Sequence, residues 1–167
     1  KLTLLAKKGS DEHLQQDFKA GVQDAYNQGL VTRLAVLDDL AKYFDSNDNE
    51  IILPEGIDEV YLMCITTENF PALTHQAWHL LSKKEKDPYP IVCTIFDLEL
   101  IAHYLSDPYD FLYYIRQRTT LANYFLGDEE MVFLGIHLSN KLWKNPRADM
   151  EVLDNSFAAA INRNYYP

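Results

Sequence analysis

The stretch TIFDLELIAHYLSDPYDFLYYIRQR, residues 94–118, connects the end of an apolar strand pattern to two helix patterns in succession. Thr94 is followed three residues later by Asp97, and this spacing predicts an acidic variant of the capping box at the start of the first helix. The apolar stripe of that helix is expected to consist of Leu98, Ile101 and Leu105.

The second helix of the stretch is predicted to start at Asp107-Pro108, because Asp is a favoured N-cap and Pro a favoured first helical residue. Its buried residues are expected to be Phe111, Leu112 and Ile115. Arg116 and Arg118 stand near the negative end of this helix, where cations complement the helix dipole. The stretch therefore predicts two hinged helices with a structural role.

Before this stretch, helix and strand patterns alternate along the chain. They predict a strand at 2–6, a helix at 11–28 ended by Gly29, a helix at 30–44, strands at 50–53 and 59–67, a helix at 71–81 and a strand at 91–95. The strands at 59–67 and 91–95 are expected to be buried on both faces. A strand, a helix and a strand in that order indicate a parallel crossover.

After the stretch, Gly127-Asp128-Glu129-Glu130 is typical of a helix N-terminus, and the acidic residues are explained by capping. The buried face of this helix is expected to hold Met131, Leu134 and Leu138. The fold class is therefore predicted as α/β, with an α/β part at 1–96 and a mostly helical part at 97–167 packed on it as one structural domain.

The composition restricts the class of protein. The 167 residues carry a net charge of -10, which disfavours a free-standing nucleic-acid-binding surface. Cys64 and Cys93 lie in apolar runs and are expected to be reduced and buried. The apolar runs are shorter than the ~20 residues that a membrane span needs. These features predict a cytoplasmic protein that does not enter a membrane.

Residue patterns that could carry chemistry have simpler structural explanations. His75 and His79 are four residues apart, but Gln76 stands where a zinc-binding HExxH motif has glutamate, and no third ligand is identifiable. The acidic residues at 38–50 lack the ligand spacing of a calcium loop and indicate a solvated turn. The six glycines form no phosphate-binding or dinucleotide-binding motif.

A family resemblance takes the interpretation further. It is carried, in this order, by the segments KLTLLAKKGSDEHLQQDFKAGVQDAYNQG, TIFDLELIAHYLSDPYDFLYYIRQR, GDEEMVFLGIHL and DNSFAAAINRNYY. Together they resemble the C-terminal part of a group of bacterial restriction-endonuclease-like nucleases with the PD-D/E-x-K motif, related to the NERD domain. The resemblance implies a partial nuclease core, a mixed sheet with crossover helices, followed by the helical part.

In such nucleases an Asp and a Glu-x-Lys on neighbouring strands hold a divalent cation, and the resemblance implies Mg²⁺. It also implies that these metal ligands precede Lys1, so that the ligands are not in this chain and the chain alone is inactive. Gln28 of AYNQG matches an auxiliary active-site glutamine of the group, although Val31 replaces the arginine that usually follows, with Arg33 nearby. An ordinary surface glutamine is the open alternative.

Lys7 and Lys8 are the candidate contacts to the nucleic-acid backbone, and a solvated turn is their alternative. Two functions of different classes follow. The first is the supporting, C-terminal portion of a metal-dependent nuclease, with nucleic acid and the upstream part of the same polypeptide as partners. The second is a non-catalytic interaction module, in which the aromatic helices bind a protein partner or form a homodimer.

Overall fold

The computed structural model describes residues 3–68 and 77–165 and has a mixed α/β architecture. Its elements are, in chain order, α1 (Leu4–Lys7), α2 (Asp11–Phe18), a π-helical segment (Lys19–Gln23), α3 (Asp24–Leu37), β1 (Tyr43–Phe44), β2 (Glu50–Ile51), β3 (Met63–Thr66), α4 (Ala77–Leu80), β4 (Ile91–Thr94), α5 (Ile95–Tyr104), α6 (Pro108–Thr120), β5 (Phe125–Leu126), α7 (Glu130–Asn140), β6 (Glu151–Val152) and α8 (Ser156–Tyr165). Most of the helix predicted at 71–81, together with His75, lies outside the described residues.

The strands form pairs rather than one mixed sheet within the described part of the chain. β3 and β4 are parallel, with Met63 opposite Ile91 and Thr66 opposite Thr94, which confirms the predicted parallel crossover. β1 and β2 form a separate antiparallel hairpin, and β5 and β6 form a second parallel pair. The α/β class is therefore confirmed.

The strand predicted at the N-terminus is wrong. Residues 4–7 form helix α1, and the side chain of Thr3 caps it by accepting a hydrogen bond from the amide of Ala6 at 3.3 Å. The amide of Thr3 in turn donates to Asp17 Oδ2 at 2.6 Å, which ties α1 to α2. A short apolar run suits a strand and a helix equally well, and here the cap decides in favour of the helix.

The predicted helix end at Gly29 is also wrong, because Gly29 lies inside α3. A Cβ atom at this position would approach Leu62 Cδ2 to 3.2 Å, so the glycine permits close packing of α3 on the strand region. The helix instead ends after Leu37, where Asp39 adopts a positive φ of 50° and the amide of Leu40 donates to the carbonyl of Ala35.

The two parallel strands differ in burial. All four residues of β4 are buried, as predicted. In β3, Cys64 is buried but Ile65 is exposed, so the prediction of a strand buried on both faces is wrong there. Cys64 packs against residues of the π-helical segment and α3, whereas on the opposite face of β3 Met63 is partly covered by other apolar side chains and Ile65 is exposed.

The helix starts within residues 94–118 are confirmed. The Thr94 hydroxyl accepts from the amide of Asp97 at 3.1 Å, while the Asp97 carboxylate accepts from the amide of Thr94 at 2.8 Å. Asp107 Oδ1 accepts from the amides of Tyr109 and Asp110 at the start of α6. Both caps depend on side chains that lie within one turn of the helix start.

The buried faces of the later helices depart from the pattern. In α6 the structure buries Ile115 as predicted, but Leu112 is exposed and Tyr114 takes its place in the core. Arg118 is buried too, so its predicted role at the helix end is wrong. In α7, Leu138 is exposed and Glu130, expected to serve as a capping residue, is completely buried.

Two apolar clusters hold the chain together. The larger unites β4 with α5, α6, α7 and α8, and its fully enclosed members include Ile101, Phe133 and Leu134. The smaller joins α2, the π-helical segment and α3 to β3, α4 and β4, and its members include Phe18, Val22 and Tyr26. No helix within the described residues combines the length and apolar character needed to cross a membrane.

Candidate functional site

The direction of α3 across β3 decides where the predicted site residues lie. The helix runs antiparallel to the strand. Three contacts show this in order: Val22 with Cys64, Gly29 with Leu62, and Arg33 with the carbonyl of Val60. The start of α3 is therefore near the middle of β3, and later turns of the helix lie toward the amino end of that strand. Gln28, next to Gly29, therefore lies near the amino end of β3.

Gln28 is exposed on α3. Its carbonyl oxygen accepts a hydrogen bond from the Thr32 hydroxyl at 3.3 Å, and its side-chain amide has no hydrogen-bond partner among the described residues. An amide in this state can both donate and accept. The side chain is thus accessible to a ligand, but its surroundings do not fix its direction.

Lys7 and Lys8 lie at the other end of β3. Lys7 Nζ is 3.2 Å from Oε2 of Glu68, which follows β3 by two residues. Lys8 is exposed and forms no ion pair with another described residue. At a rise of about 3.3 Å per residue, the four steps of strand from Leu62 to Thr66 span about 13 Å. The structure therefore brings the two lysines together and keeps them apart from Gln28.

The described residues do not fit a Mg²⁺ site by themselves. No group of three or more His, Cys, Asp or Glu side chains within 3–68 and 77–165 is close enough to hold a metal ion. His79 stacks on the ring of Trp78 with 3.6 Å between ring centroids. The side-chain amide of Asn49 donates to Asp45 and lowers the pKa of its carboxyl group, as do the backbone amides of Asn49 and Asn47, so the acidic segment forms a turn.

The most strongly interacting polar groups were missed by sequence reasoning. Arg118 of α6 and Glu130 of α7 form a buried bidentate ion pair, with Nε 2.9 Å from Oε1 and Nη2 2.7 Å from Oε2. The guanidinium carbon lies 3.7 Å from the ring centroid of Phe133, and the Tyr114 hydroxyl donates to the same carboxylate. Burial lowers the pKa of Arg118, but the adjoining Glu130 carboxylate more than offsets this and raises it.

This polar contact continues along the interface of α6 and α7 toward solvent. The ring of His137 meets the edge of Tyr114 at 5.0 Å between centroids, and His137 Nε2 lies 3.4 Å from Asp110 Oδ1. At the exposed end, Lys141 Nζ lies 2.7 Å from the same Asp110 oxygen. We call this row the polar seam; its members are Asp110, Tyr114, Arg118, Glu130, His137 and Lys141.

The sequence contained a periodic indication of the seam. Three members stand four residues apart on α6 and two stand seven apart on α7, which are the spacings of one helix face. His137 is completely buried, and its Nε2 approaches Asp110 without the alignment of a hydrogen bond, so the interaction between the two side chains is electrostatic. Because its inner part excludes solvent, the seam is suited to holding α6 against α7 rather than to binding a substrate.

Comparison of the chain with protein-family models, with curated proteins and with solved structures found no significant match.

Proposed function

We propose that this chain is the supporting, C-terminal portion of a metal-dependent nuclease that cleaves nucleic-acid phosphodiesters. The observation that carries the proposal is the ordered resemblance of four sequence segments to restriction-endonuclease-like nucleases. The parallel pair β3–β4, whose connecting segment contains α4, supports it because parallel strands joined through a helix belong to the core that the resemblance implies.

In this proposal Mg²⁺ activates water for attack on the phosphodiester, and its carboxylate ligands come from outside this chain. This chain contributes the scaffold, the helix that carries Gln28, and the two lysines. Lys8 is ready to contact a phosphate, whereas Lys7 must first exchange its contact with Glu68. Gln28 lies near the amino end of β3 and the two lysines lie near its carboxyl end. A nucleic acid that contacts Gln28 and the lysines together must therefore extend along β3.

The test uses the natural polypeptide that contains this chain and whatever precedes Lys1. Cleavage of plasmid and single-stranded DNA in Mg²⁺ or Mn²⁺ is measured for the parent and for Gln28→Ala and Lys8→Ala. We expect reduced cleavage in both variants, no change in the matched surface variants Gln15→Ala and Lys86→Ala, and no cleavage by residues 1–167 alone. An absence of Asp and Glu-x-Lys before Lys1, or full activity of Gln28→Ala and Lys8→Ala, contradicts the proposal.

A second candidate function is a non-catalytic module that binds a protein partner through its aromatic helices. The observation in its favour is the exposure of large apolar side chains on α5 and α6: Tyr109 is 83% and Phe96 61% exposed, and half of Leu112 is open to solvent. Exposed aromatic residues are common anchors of protein interfaces.

A second copy of this chain is the partner to test first for these helices. Sedimentation over a range of concentrations is measured for the parent, for Tyr109→Ser and for Trp143→Ser, another exposed aromatic residue that lies outside α5 and α6. Self-association that is lost only in Tyr109→Ser supports a homodimer through the aromatic helices. A parent that stays monomeric at every concentration contradicts it.

A further inference from the structure

The hairpin β1–β2 and the segment that follows it form an open groove whose lining combines aliphatic and charged side chains. The groove has a volume of about 820 Å³, and its lining includes Leu40, Tyr43, Ile51, Ile52 and Ile57. Ile52 is 89% and Leu40 76% exposed, although both are aliphatic. Their apolar surface has no cover within the described part of the chain, which is unfavourable in water unless a partner covers it.

The groove also offers unpaired hydrogen-bonding groups. No backbone hydrogen bond joins residues 52–58 to another described residue, so the amides and carbonyls of Ile52 and Leu53 are free to pair with an added chain. Pro54 has no amide hydrogen and Gly56 has a φ of 74°, so strand pairing cannot continue beyond Leu53. The hydroxyl of Tyr43 is shielded from solvent and has no hydrogen-bond partner among the described residues. A buried hydroxyl without a hydrogen bond is unfavourable, so a bound partner that supplies this hydrogen bond would be stabilised.

The charge around the groove is strongly one-sided. Eight of the 25 acidic residues of the chain fall within residues 38–59, and Lys42 is the only basic residue of that segment. Asp39 and Glu55 line the groove, while Glu50 is paired with Lys42 at 2.9 Å. This charge attracts a cationic partner and repels nucleic acid. It also opposes the pairing of two identical copies, because like charges would meet.

We infer that this groove binds a basic, amphipathic segment of another protein, in which apolar residues alternate with Lys or Arg. The apolar side chains cover Leu40 and Ile52, the cations meet the acidic rim, and the backbone of the segment pairs with Ile52 and Leu53, the two residues that follow β2. This binding surface differs from the aromatic helices and does not depend on the nuclease proposal.

The test measures fluorescence anisotropy of a labelled peptide of alternating lysine and leucine, with an alternating glutamate and leucine peptide as the charge control. The lysine peptide is expected to bind the full chain and to dissociate as salt is added. Ile52→Ser removes an exposed side chain that the peptide would cover, and we expect the Kd to rise roughly tenfold. Val152→Ser, at a similarly exposed aliphatic residue on β6, is the matched control and should leave the Kd unchanged.

A double variant tests the acidic rim, because Asp39→Asn with Glu55→Gln removes two charges without changing size. Asn tolerates the positive φ of 50° at position 39. We expect weaker binding and a smaller effect of salt. Equal binding of the glutamate peptide, or an unchanged Kd in Ile52→Ser, overturns the inference. A dimer that Ile52→Ser converts into a monomer assigns the groove to a second copy instead.

Discussion

Arg118 and Glu130 form a bidentate ion pair inside the core, where the arginine side chain is 6% exposed and the glutamate is fully buried. The two residues stand twelve positions apart and belong to different helices, α6 and α7. Their contact replaces the role at the helix end that the sequence suggested for Arg118. Stability in this part of the chain therefore depends on a charge pair as well as on apolar packing.

Removal of one partner should destabilise the protein strongly. Arg118→Met leaves the Glu130 carboxylate buried without an opposite charge beside it, and such a loss costs about 3–5 kcal/mol. Arg116→Met is the matched control, since Arg116 forms an exposed ion pair with Glu59 at 2.8 Å, and exposed pairs contribute about 0–1 kcal/mol. Urea unfolding of the two variants measures the difference.

The double variant Arg118→Met with Glu130→Leu distinguishes two contributions to the free energy of unfolding: the cost of burying one charge without its partner, and the net contribution of the ion pair. It should recover much of the stability that Arg118→Met alone loses, because no unpaired charge remains buried. An Arg118→Met variant that unfolds at the same urea concentration as Arg116→Met would show that the pair is not enclosed.

Stability should depend on pH through His137. Burial lowers the pKa of its imidazole below the ordinary 6.5, an effect that Lys141 increases and Asp110 opposes. The unfolded chain therefore binds this proton more readily than the folded chain. The free energy of unfolding should rise with pH from the folded pKa to about 6.5 and then level off.

The measurement is urea unfolding at a series of pH values from about 5 to 8. His137→Phe should flatten the slope below pH 6.5, and His103→Phe, at an exposed position of α5, should keep the slope of the parent. If His137→Phe keeps the full slope, other groups are responsible for it.

Gly135 should not tolerate a side chain. A Cβ atom there would lie 2.5 Å from the backbone oxygen of Phe157, so α7 and α8 cannot keep their distance. Gly to Ala inside a helix ordinarily stabilises by ~0.5–1 kcal/mol, but here the clash is with backbone and should reverse the sign. We expect a loss of at least about 1 kcal/mol, which lowers the Tm by ~2–4 °C in a domain of this size.

Gly29→Ala is the matched control for Gly135→Ala. Its Cβ atom would meet only the end of the Leu62 side chain, at 3.2 Å, and this side chain can shift. Its Tm should stay close to that of the parent in the same thermal melt. Equal melting of both variants would mean that α8 can move away from α7 without cost.

The two thiols should be unreactive in the folded protein. Cys64 and Cys93 are free and buried in adjacent strands, and burial raises the pKa of the Cys64 thiol to about 11 and also raises that of Cys93. Because the thiolate is the reactive form, a thiol reagent near neutral pH should label neither residue until denaturant is added. Rapid labelling of both before unfolding would contradict the positions of β3 and β4.

The parts of the fold that followed from the sequence are those set by neighbouring residues. The capping box of Thr94 with Asp97 and the cap at Asp107 each involve atoms within one helical turn, and both were predicted correctly. The parallel pairing of β3 with β4 was also predicted, because a strand, a helix and a strand in succession leave few alternatives.

Local patterns failed where a distant contact decides the outcome. Glycine is common at helix ends, yet α3 continues through Gly29 to Leu37, and Gly29 lies against the side chain of Leu62. Lys7 resembles a free turn lysine until the fold places Glu68 at its ammonium group. The groove at residues 36–57 also depends on tertiary structure, since exposure of Ile52 cannot be deduced from an apolar run.

The sequence by itself determined the starts of α5 and α6, the α/β class and the acidic character of residues 38–59, because these depend on composition and short-range geometry. The tertiary structure alone decided that Arg118 is buried against Glu130 while Arg116, two residues earlier, stays in solvent. Successive helical residues point about 100° apart. Which of the two arginines faces α7 therefore depends on how the helices pack, and only a buried carboxylate in the right place makes an enclosed arginine stable.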